Sequence, residues 1–176
     1  QYPDVYKLIR VGIDPSDIES PYNRIRSFFS KKVYEDCYSK EAKIITSIAV
    51  FYDLDNPVQF AKDIKEILAD DGIWILEMSY MPSMVKGNLY DTICAEHLEY
   101  YSLESIKYII EDCAGMLIED VDFNSVNGGS FRLYVRKSGT VVTPSRFEIS
   151  GRDRRSSVLK ALEEERYYNV NTEGYL

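Results

Sequence analysis

The sequence lacks paired cysteines and has only one histidine, His97, among its 176 residues. Its three cysteines, Cys37, Cys94 and Cys113, are odd in number and show no Cys-x-x-Cys spacing. They therefore predict neither a disulfide framework nor a zinc site, and we expect no bound metal. Such cysteine usage is typical of a reducing cytoplasm, which is the location that we expect.

Long hydrophobic runs and an excess of positive charge are also missing. The longest apolar stretch, Ile44–Tyr52, is interrupted by Thr46 and Ser47, and it is far shorter than the roughly 20 residues of a membrane span. Lys and Arg number 21 against 29 Asp and Glu, so the net charge is −8 and nucleic-acid phosphates would be repelled. We therefore expect neither a membrane nor a nucleic-acid partner.

The two ends of the sequence suggest a piece of a longer protein. The chain begins at Gln1 with no methionine and no signal-peptide pattern, and it ends at Leu176 soon after a helical pattern. Its length fits one domain and part of another. We expect a first domain at residues 1–138, and a linker with the start of a C-terminal domain at residues 139–176.

Six segments rich in β-branched and aromatic residues predict strands. The segment Lys43–Phe51 is apolar on both faces, which is typical of a parallel strand covered by helices. Only Asn124–Ser130 joins the last two strands, too short a link for a parallel crossover, so these strands are predicted antiparallel. The order predicts an α/β sheet, mostly parallel, with one reversed strand. The predicted strands are Leu8–Ile13, Ile25–Phe29, Lys43–Phe51, Ile73–Met78, Met116–Phe123 and Phe131–Arg136.

Periodic apolar residues predict a helix over Val58–Leu68. Asn56 is suited to cap its start and Pro57 to occupy its first turn, and we expect Gly72 to end it as a left-handed cap. Further helices are predicted after Ser102, ending at Gly115, and over Arg152–Tyr168.

The predicted loop Ser79–Tyr101 follows the carboxyl end of a strand, where ligands bind in open α/β sheets. It contains His97 beside Glu96. An imidazole is suited to take a proton near pH 7, and a nearby carboxylate stabilises its protonated form. A hydrogen-bonded surface histidine without a catalytic role is an equal alternative.

Two other polar segments follow predicted strands. Asp14 closes the first strand, where a carboxylate can accept hydrogen bonds from the ribose of a nucleoside cofactor; the alternative is a simple turn residue before Pro15. Tyr52 and Asp53 either reach the same cleft or merely precede the cap of the next helix. The glycine-rich loop expected with Asp14 is not in the sequence.

Four segments together resemble the S-adenosylmethionine-dependent sugar C-methyltransferase family, which includes NDP-hexose 3-C-methyltransferases. The resemblance covers roughly Val11–Lys137. It implies a class I methyltransferase (Rossmann-like) core with a reversed last strand, and S-adenosylmethionine as the cofactor. It also implies an N-terminal zinc module and a glycine-rich loop, both missing here, and a C-terminal α/β domain. The four segments are Phe51–Pro57, Ala69–Pro82, Tyr90–Leu103 and Val126–Val135.

The family's loop motif reads His-Glu-His, and this chain has Ala95-Glu96-His97. The resemblance therefore implies His97 as the general base and Glu96 as its companion, while Ala95 departs from the pattern. The resemblance also implies cofactor binding at Asp14, Ala49 and Phe51, and substrate binding at Tyr52, Asp53, Tyr80 and Tyr90.

The implied function is C-methylation of a nucleotide-linked keto-sugar in deoxysugar biosynthesis, with Tyr80 and Tyr90 as candidate donors to the enolate oxygen. One alternative is an O- or N-methyltransferase that acts on a small metabolite or glycan. Another is a weakly active cofactor-binding domain, which Ala95 makes conceivable. A nicotinamide-dependent enzyme would also use Asp14, but the antiparallel turn at Asn124–Ser130 disfavours it. The sequence leaves the oligomeric state open.

Overall fold

A computed structural model describes residues 8–17, 19, 22–139 and 154–168 of the chain. Contacts divide the chain into two units, residues 1–39 and residues 40–176. Most of the predicted linker and both chain ends lie outside the described residues. The predicted domain boundary at residue 138 therefore stays a prediction.

The first unit contains a pair of short parallel strands, β1 (Val11–Ile13) and β2 (Asn23–Ile25). The second strand was predicted at Ile25–Phe29, but the structure has it at Asn23–Ile25, so the two ranges share only Ile25. Among the described residues between the strands there are bends and no helix. A short helix, α1 (Lys31–Glu35), follows, and the Ser30 side chain accepts a hydrogen bond from its third residue, Val33.

The second unit is built on a four-stranded sheet in the order β3-β4-β6-β5. Strands β3 and β4 are parallel, and β6 runs antiparallel to both of its neighbours, β4 and β5. The prediction of a mostly parallel sheet with one reversed strand is confirmed, and the reversed strand lies inside the sheet. The strands are β3 (Ala42–Ile48), β4 (Leu68–Ser79), β5 (Met116–Asn124) and β6 (Ser130–Lys137).

The helix after β3 begins as predicted. The side chain of Asn56 accepts a hydrogen bond from the Gln59 amide (3.0 Å) and caps α2 (Pro57–Ile67). Pro57 occupies its first turn, where no backbone N–H is needed. The buried residues of α2, which packs against β4, are Ala61, Ile64 and Ile67.

The predicted cap at Gly72 is wrong. Helix α2 ends at Ile67 because Leu68 is extended (φ −73°, ψ 135°) and already begins β4. Gly72 lies inside that strand, where a Cβ would come within 2.8 Å of the Leu68 Cδ1 atom and 3.0 Å of the Ala42 carbonyl oxygen. The glycine therefore permits a close approach of two strands where their register shifts.

The predicted burial of β3 on both faces is also wrong. Among the described residues β3 pairs only with β4, so it is an edge strand, and Ile44 and Ile48 are 58% and 61% exposed. On its other face Lys43 is exposed, Ile45 is half-buried and Ser47 is buried, and the Trp74 indole donates to the Ser47 hydroxyl (3.1 Å). The largest fully buried side chains of this core include Trp74, Phe51, Phe131, Ile64, Leu68 and Leu76.

The segment predicted as one long loop contains a helix, α3 (Met81–Gly87), directly after β4. Its start is favoured by Pro82, whose fixed φ suits a first helical turn. The loop proper is therefore shorter than predicted. It connects α3 to the helix capped by Ser102.

Ser102 begins the next helix as predicted, through reciprocal hydrogen bonds with Ser105 that form a capping box. The helix starts as α4 (Leu103–Lys107) and continues as a π-helical turn over Tyr108–Cys113. Gly115, with φ of 63°, reverses the chain into β5.

The predicted C-terminal helix is confirmed as α5 (Arg154–Tyr167), which packs against β5. The Arg155 guanidinium donates to Glu111 (2.7 Å) and to the Ile118 carbonyl oxygen (2.5 Å). Ser157 donates to Asp120. Side chains of α5 thus bind to groups in and beside β5. None of the helices described is long and apolar enough to cross a membrane.

Candidate active site at the carboxyl ends of the strands

The chain leaves β3 through a strained residue. Ala49 has φ of 55°, in the left-handed region, and its amide donates to the Glu77 carbonyl oxygen of the neighbouring β4 (2.9 Å). A non-glycine residue in this conformation costs about 1–2 kcal/mol, and such strain concentrates at functional sites. Next comes a short 3-10 turn, Phe51–Asp53, in which Phe51 and Tyr52 are buried and Asp53 is exposed.

The loop that contains the single histidine is hydrogen-bonded to this turn. The Tyr52 carbonyl oxygen accepts hydrogen bonds from the amides of Leu98 (2.9 Å) and Glu99 (3.2 Å). The rings of Tyr52 and His97 lie with their centroids 4.2 Å apart. The structure thus brings together His97 and the segment after β3, as their positions at strand ends predict.

A backbone contact fixes the tautomer of His97. Its Nδ1 atom lies 2.8 Å from the carbonyl oxygen of Thr92. Because a carbonyl oxygen only accepts, Nδ1 must carry the proton of this hydrogen bond. The Nε2 atom of the neutral ring therefore keeps its lone pair and can act as a base.

The two carboxyl groups near His97 differ in their surroundings. Partial burial raises the pKa of Asp53, the nearby His97 lowers it, and the negative charge of Glu96 raises it again, with a net rise. The Glu96 side chain is exposed. Asp53 is thus electrostatically coupled to both residues of the predicted catalytic pair.

The two tyrosines predicted to bind substrate lie in different surroundings. Tyr80 follows β4 and packs on Phe123 and Phe131, with ring centroids 5.0 and 5.1 Å away. Its hydroxyl donates to the Glu165 carboxylate of α5 (2.7 Å), and the residue borders a cavity of about 420 Å³ between α3 and α5. Tyr90 is 74% exposed. The substrate contacts of both tyrosines stay predictions.

In the first unit, Asp14 is exposed directly after β1. The hydroxyl and the amide of Ser16 both donate to its Oδ1 atom, and these two hydrogen bonds lower the pKa of Asp14 although slight burial opposes them. Arg24 lies 3.5 Å from the same oxygen and lowers it further. Asp14 is therefore an anionic acceptor at neutral pH.

Three residues that sequence analysis did not single out belong to this region. The backbone of Thr92 carries no sequence signal, and Glu165 resembles the other acidic residues of a charged helix. Tyr101 is 4% exposed, and its hydroxyl has no hydrogen-bond partner among the described residues. Across the described part of the chain no group of His, Cys, Asp and Glu residues is arranged to hold a metal ion.

Comparison with known proteins identifies a matching family, a similar curated protein and similar solved structures. The family described as "Methyltransferase domain" matches residues 6–113. The C-methyltransferase NovU of Streptomyces niveus is 27% identical over 132 residues, which cover 70% of this chain and 31% of NovU. The chain therefore spans about a third of that curated relative.

Solved methyltransferases resemble the chain in three dimensions. The plantazolicin methyltransferase BpumL in complex with SAH has a TM-score of 0.51 at 11% identity, over 72% of this chain and 66% of that chain. The N-methyltransferase NodS of Bradyrhizobium japonicum WM9 has a TM-score of 0.49 at 12% identity, over 72% of both chains. At such identity the likeness to BpumL concerns the fold alone.

Proposed function

Because the chain belongs to the methyltransferase domain family and has the class I fold of S-adenosylmethionine-dependent methyltransferases, we propose that it methylates a carbon of a nucleotide-linked keto-sugar, with His97 as the general base. The observation that carries the proposal is the hydrogen bond between His97 Nδ1 and the Thr92 carbonyl oxygen, which leaves Nε2 as the basic atom. The similarity to a C-methyltransferase supports carbon as the acceptor atom.

The residues present fit S-adenosylmethionine, which supplies an electrophilic methyl group on its sulfonium. In the first unit, Asp14 is an ionised and exposed acceptor at a strand end, as ribose hydroxyls require. In the second unit, the left-handed turn at Ala49 and the buried ring of Phe51 follow β3 directly. We propose these three residues as cofactor-binding residues.

His97 would remove the proton from the carbon beside the keto group. The proton goes to Nε2, and the electron pair of the broken C–H bond then forms the new C–C bond to the methyl group, while the methyl–sulfur pair remains on sulfur. The Thr92 carbonyl oxygen accepts from Nδ1 throughout and so stabilises the imidazolium.

A transfer assay tests this function. The purified protein is incubated with methyl-labelled S-adenosylmethionine and a panel of nucleotide-linked keto-sugars, and the product is analysed by mass spectrometry and NMR. We expect a new methyl group on carbon. A methyl group on oxygen or nitrogen would instead support an O- or N-methyltransferase.

The same assay, combined with calorimetry, addresses a second candidate. Ala95 stands where the resembling family has a histidine, and this departure favours a weakly active cofactor-binding domain. S-adenosylhomocysteine binding without methyl transfer would support that candidate. Absence of S-adenosylhomocysteine binding would contradict both candidate functions.

We propose that the protein acts in the cytoplasm, because Cys37, Cys94 and Cys113 are free thiols.

A further inference from the structure

The hydroxyl of Tyr101 is a buried polar group without a partner among the described residues. The side chain is 4% exposed, and its hydroxyl oxygen is buried. Burial of an unpaired hydroxyl is unfavourable, and folded proteins contain few such groups. Each buried polar group without a partner therefore indicates local strain, a bound water molecule or a contact with a ligand.

Tyr101 joins the two strand ends that carry the candidate active site. Its ring lies 5.5 Å from that of Phe51, which follows β3. Its carbonyl oxygen accepts from the Met81 amide (3.0 Å), which follows β4. Burial, with a smaller effect from Glu99, raises the pKa of the Tyr101 hydroxyl well above its usual value, so it remains protonated and can both donate and accept.

We propose that Tyr101 is a binding residue for the methyl donor, and that its hydroxyl forms a hydrogen bond with a polar group of the bound S-adenosyl ligand. This inference rests on the proposed function, because it takes Phe51 and the turn after β3 as part of the cofactor site. The acceptor substrate is the alternative source of such a polar group, and the experiment separates the two.

Access to the hydroxyl requires a local shift of the chain. The segment before Tyr101 is held by the Leu98 and Glu99 amides, which donate to one carbonyl oxygen, that of Tyr52. Neither bond belongs to the ladder of the sheet, so the inference requires that such a shift break these two bonds and leave the strand pairing intact. Trp74, the single tryptophan, lies with its ring centroid 6.0 Å from that of Phe51 and would report the movement by fluorescence.

The test compares Tyr101→Phe with a matched control, Tyr134→Phe, by calorimetric titration with S-adenosylhomocysteine. The Tyr134 hydroxyl donates to Asp122 (3.1 Å) across β5 and β6. We expect Tyr101→Phe to raise the Kd about tenfold and Tyr134→Phe to leave it unchanged. Because the removed hydroxyl is unpaired, we expect the thermal midpoint of Tyr101→Phe without ligand to stay equal or rise. A Trp74 fluorescence titration provides a second measure of the same Kd.

Each other outcome overturns the inference. An unchanged Kd for Tyr101→Phe means that the hydroxyl does not contact the donor, and a change confined to the KM of the acceptor assigns it to the substrate. A lower thermal midpoint means that the hydroxyl has a partner within the folded protein. If the wild-type protein binds no S-adenosylhomocysteine, the proposed function fails as well, whereas normal wild-type binding with a normal variant removes only the role of Tyr101.

Discussion

The Tyr80 hydroxyl donates a hydrogen bond to Glu165, 85 positions further along the chain, at 2.7 Å. The same carboxylate accepts from the amides of Leu103 (2.6 Å) and Glu104 (2.9 Å), the first two residues of α4. Glu165 is 2% exposed, and these three donors compensate its buried charge. One side chain of α5 therefore joins the end of β4 to the start of α4.

Replacement of Glu165 by alanine should destabilise the protein. Glu165→Ala leaves the Tyr80 hydroxyl and two helix amides without their acceptor, so we expect the free energy of unfolding to fall by about 2–3 kcal/mol. Urea denaturation measures this change in the free energy of unfolding. Glu165→Gln keeps one acceptor oxygen and should lose less, and Glu164→Ala, at an exposed neighbour, should stay within about 0.5 kcal/mol of wild type. Equal effects at positions 164 and 165 would contradict the role of Glu165.

Replacement of His97 should slow methyl transfer without weakening cofactor binding. His97→Gln keeps a polar side chain but removes the basic Nε2 atom, so we expect the rate to fall about 10²–10⁴-fold. The Kd for S-adenosylhomocysteine should stay unchanged. Tyr167→Phe, at an 81% exposed side chain, is the control and should retain full activity. An unaltered rate in His97→Gln would exclude His97 as the general base.

The raised pKa of Asp53 makes a prediction about the pH dependence of stability. A raised pKa in the folded state means that the ionised form is disfavoured there, so the penalty is full at neutral pH and disappears as the pH falls towards the ordinary value of 3.8. We expect Asp53→Asn to raise the thermal midpoint at pH 7 and to lose this advantage near pH 4. Asp55→Asn, at an exposed neighbour, controls for the loss of one negative charge. A lower midpoint of Asp53→Asn at pH 7 would show that the carboxylate is stabilising.

Arg155 should make the stability of the second unit sensitive to acid. Burial alone would raise the pKa of Glu111, but hydrogen bonds from Arg155, Lys107 and the Ile118 amide bring it below its ordinary value of 4.5. The stabilisation is therefore present above that value and is lost as the pH falls through the lowered pKa. We expect Arg155→Met to reduce the free energy of unfolding by about 1–3 kcal/mol at pH 7, and the difference to shrink below pH 4.

Urea denaturation at both pH values checks this prediction. Arg166→Met is the matched control, because Arg166 pairs with Glu104 at 3.6 Å and remains 69% exposed. Its effect should stay below about 1 kcal/mol. A difference between Arg155→Met and wild type that persists unchanged at low pH would mean that side-chain packing and the hydrogen bond to the Ile118 carbonyl oxygen, and not the ion pair with Glu111, provide the stabilisation.

Short sequence motifs correctly predicted those helix ends and strand connections that a few neighbouring residues determine. Asn56 and Pro57 gave the start of α2, and the short Asn124–Ser130 link gave the antiparallel pair. Gly72 was misinterpreted because a glycine that ends a helix and a glycine that permits a close approach of two strands have the same appearance in a sequence. The burial of β3 depends on what lies beside it, which the composition of the strand does not report.

The site was predictable only where strand ends bring residues together. The rule that ligands bind beyond the carboxyl ends of strands placed Tyr52 and His97 in one region, and their rings are in contact. It could not find the Thr92 carbonyl oxygen, because every residue has one. Nor could it single out Glu165, whose three donors come from segments 61 to 85 residues away.

The interior position of β6 has a consequence for folding. Strand β6 hydrogen-bonds to both β4 and β5, yet it is the last of the four strands to leave the ribosome, ending at Lys137. Until then only the β3–β4 pair of this four-stranded sheet can form, and one edge of β4 and both edges of β5 lack a partner strand. Pairing across such separations is slow and exposes strand edges to aggregation. A chaperone that shields the β4 edge during synthesis would therefore raise the yield of folded protein more than one acting after release.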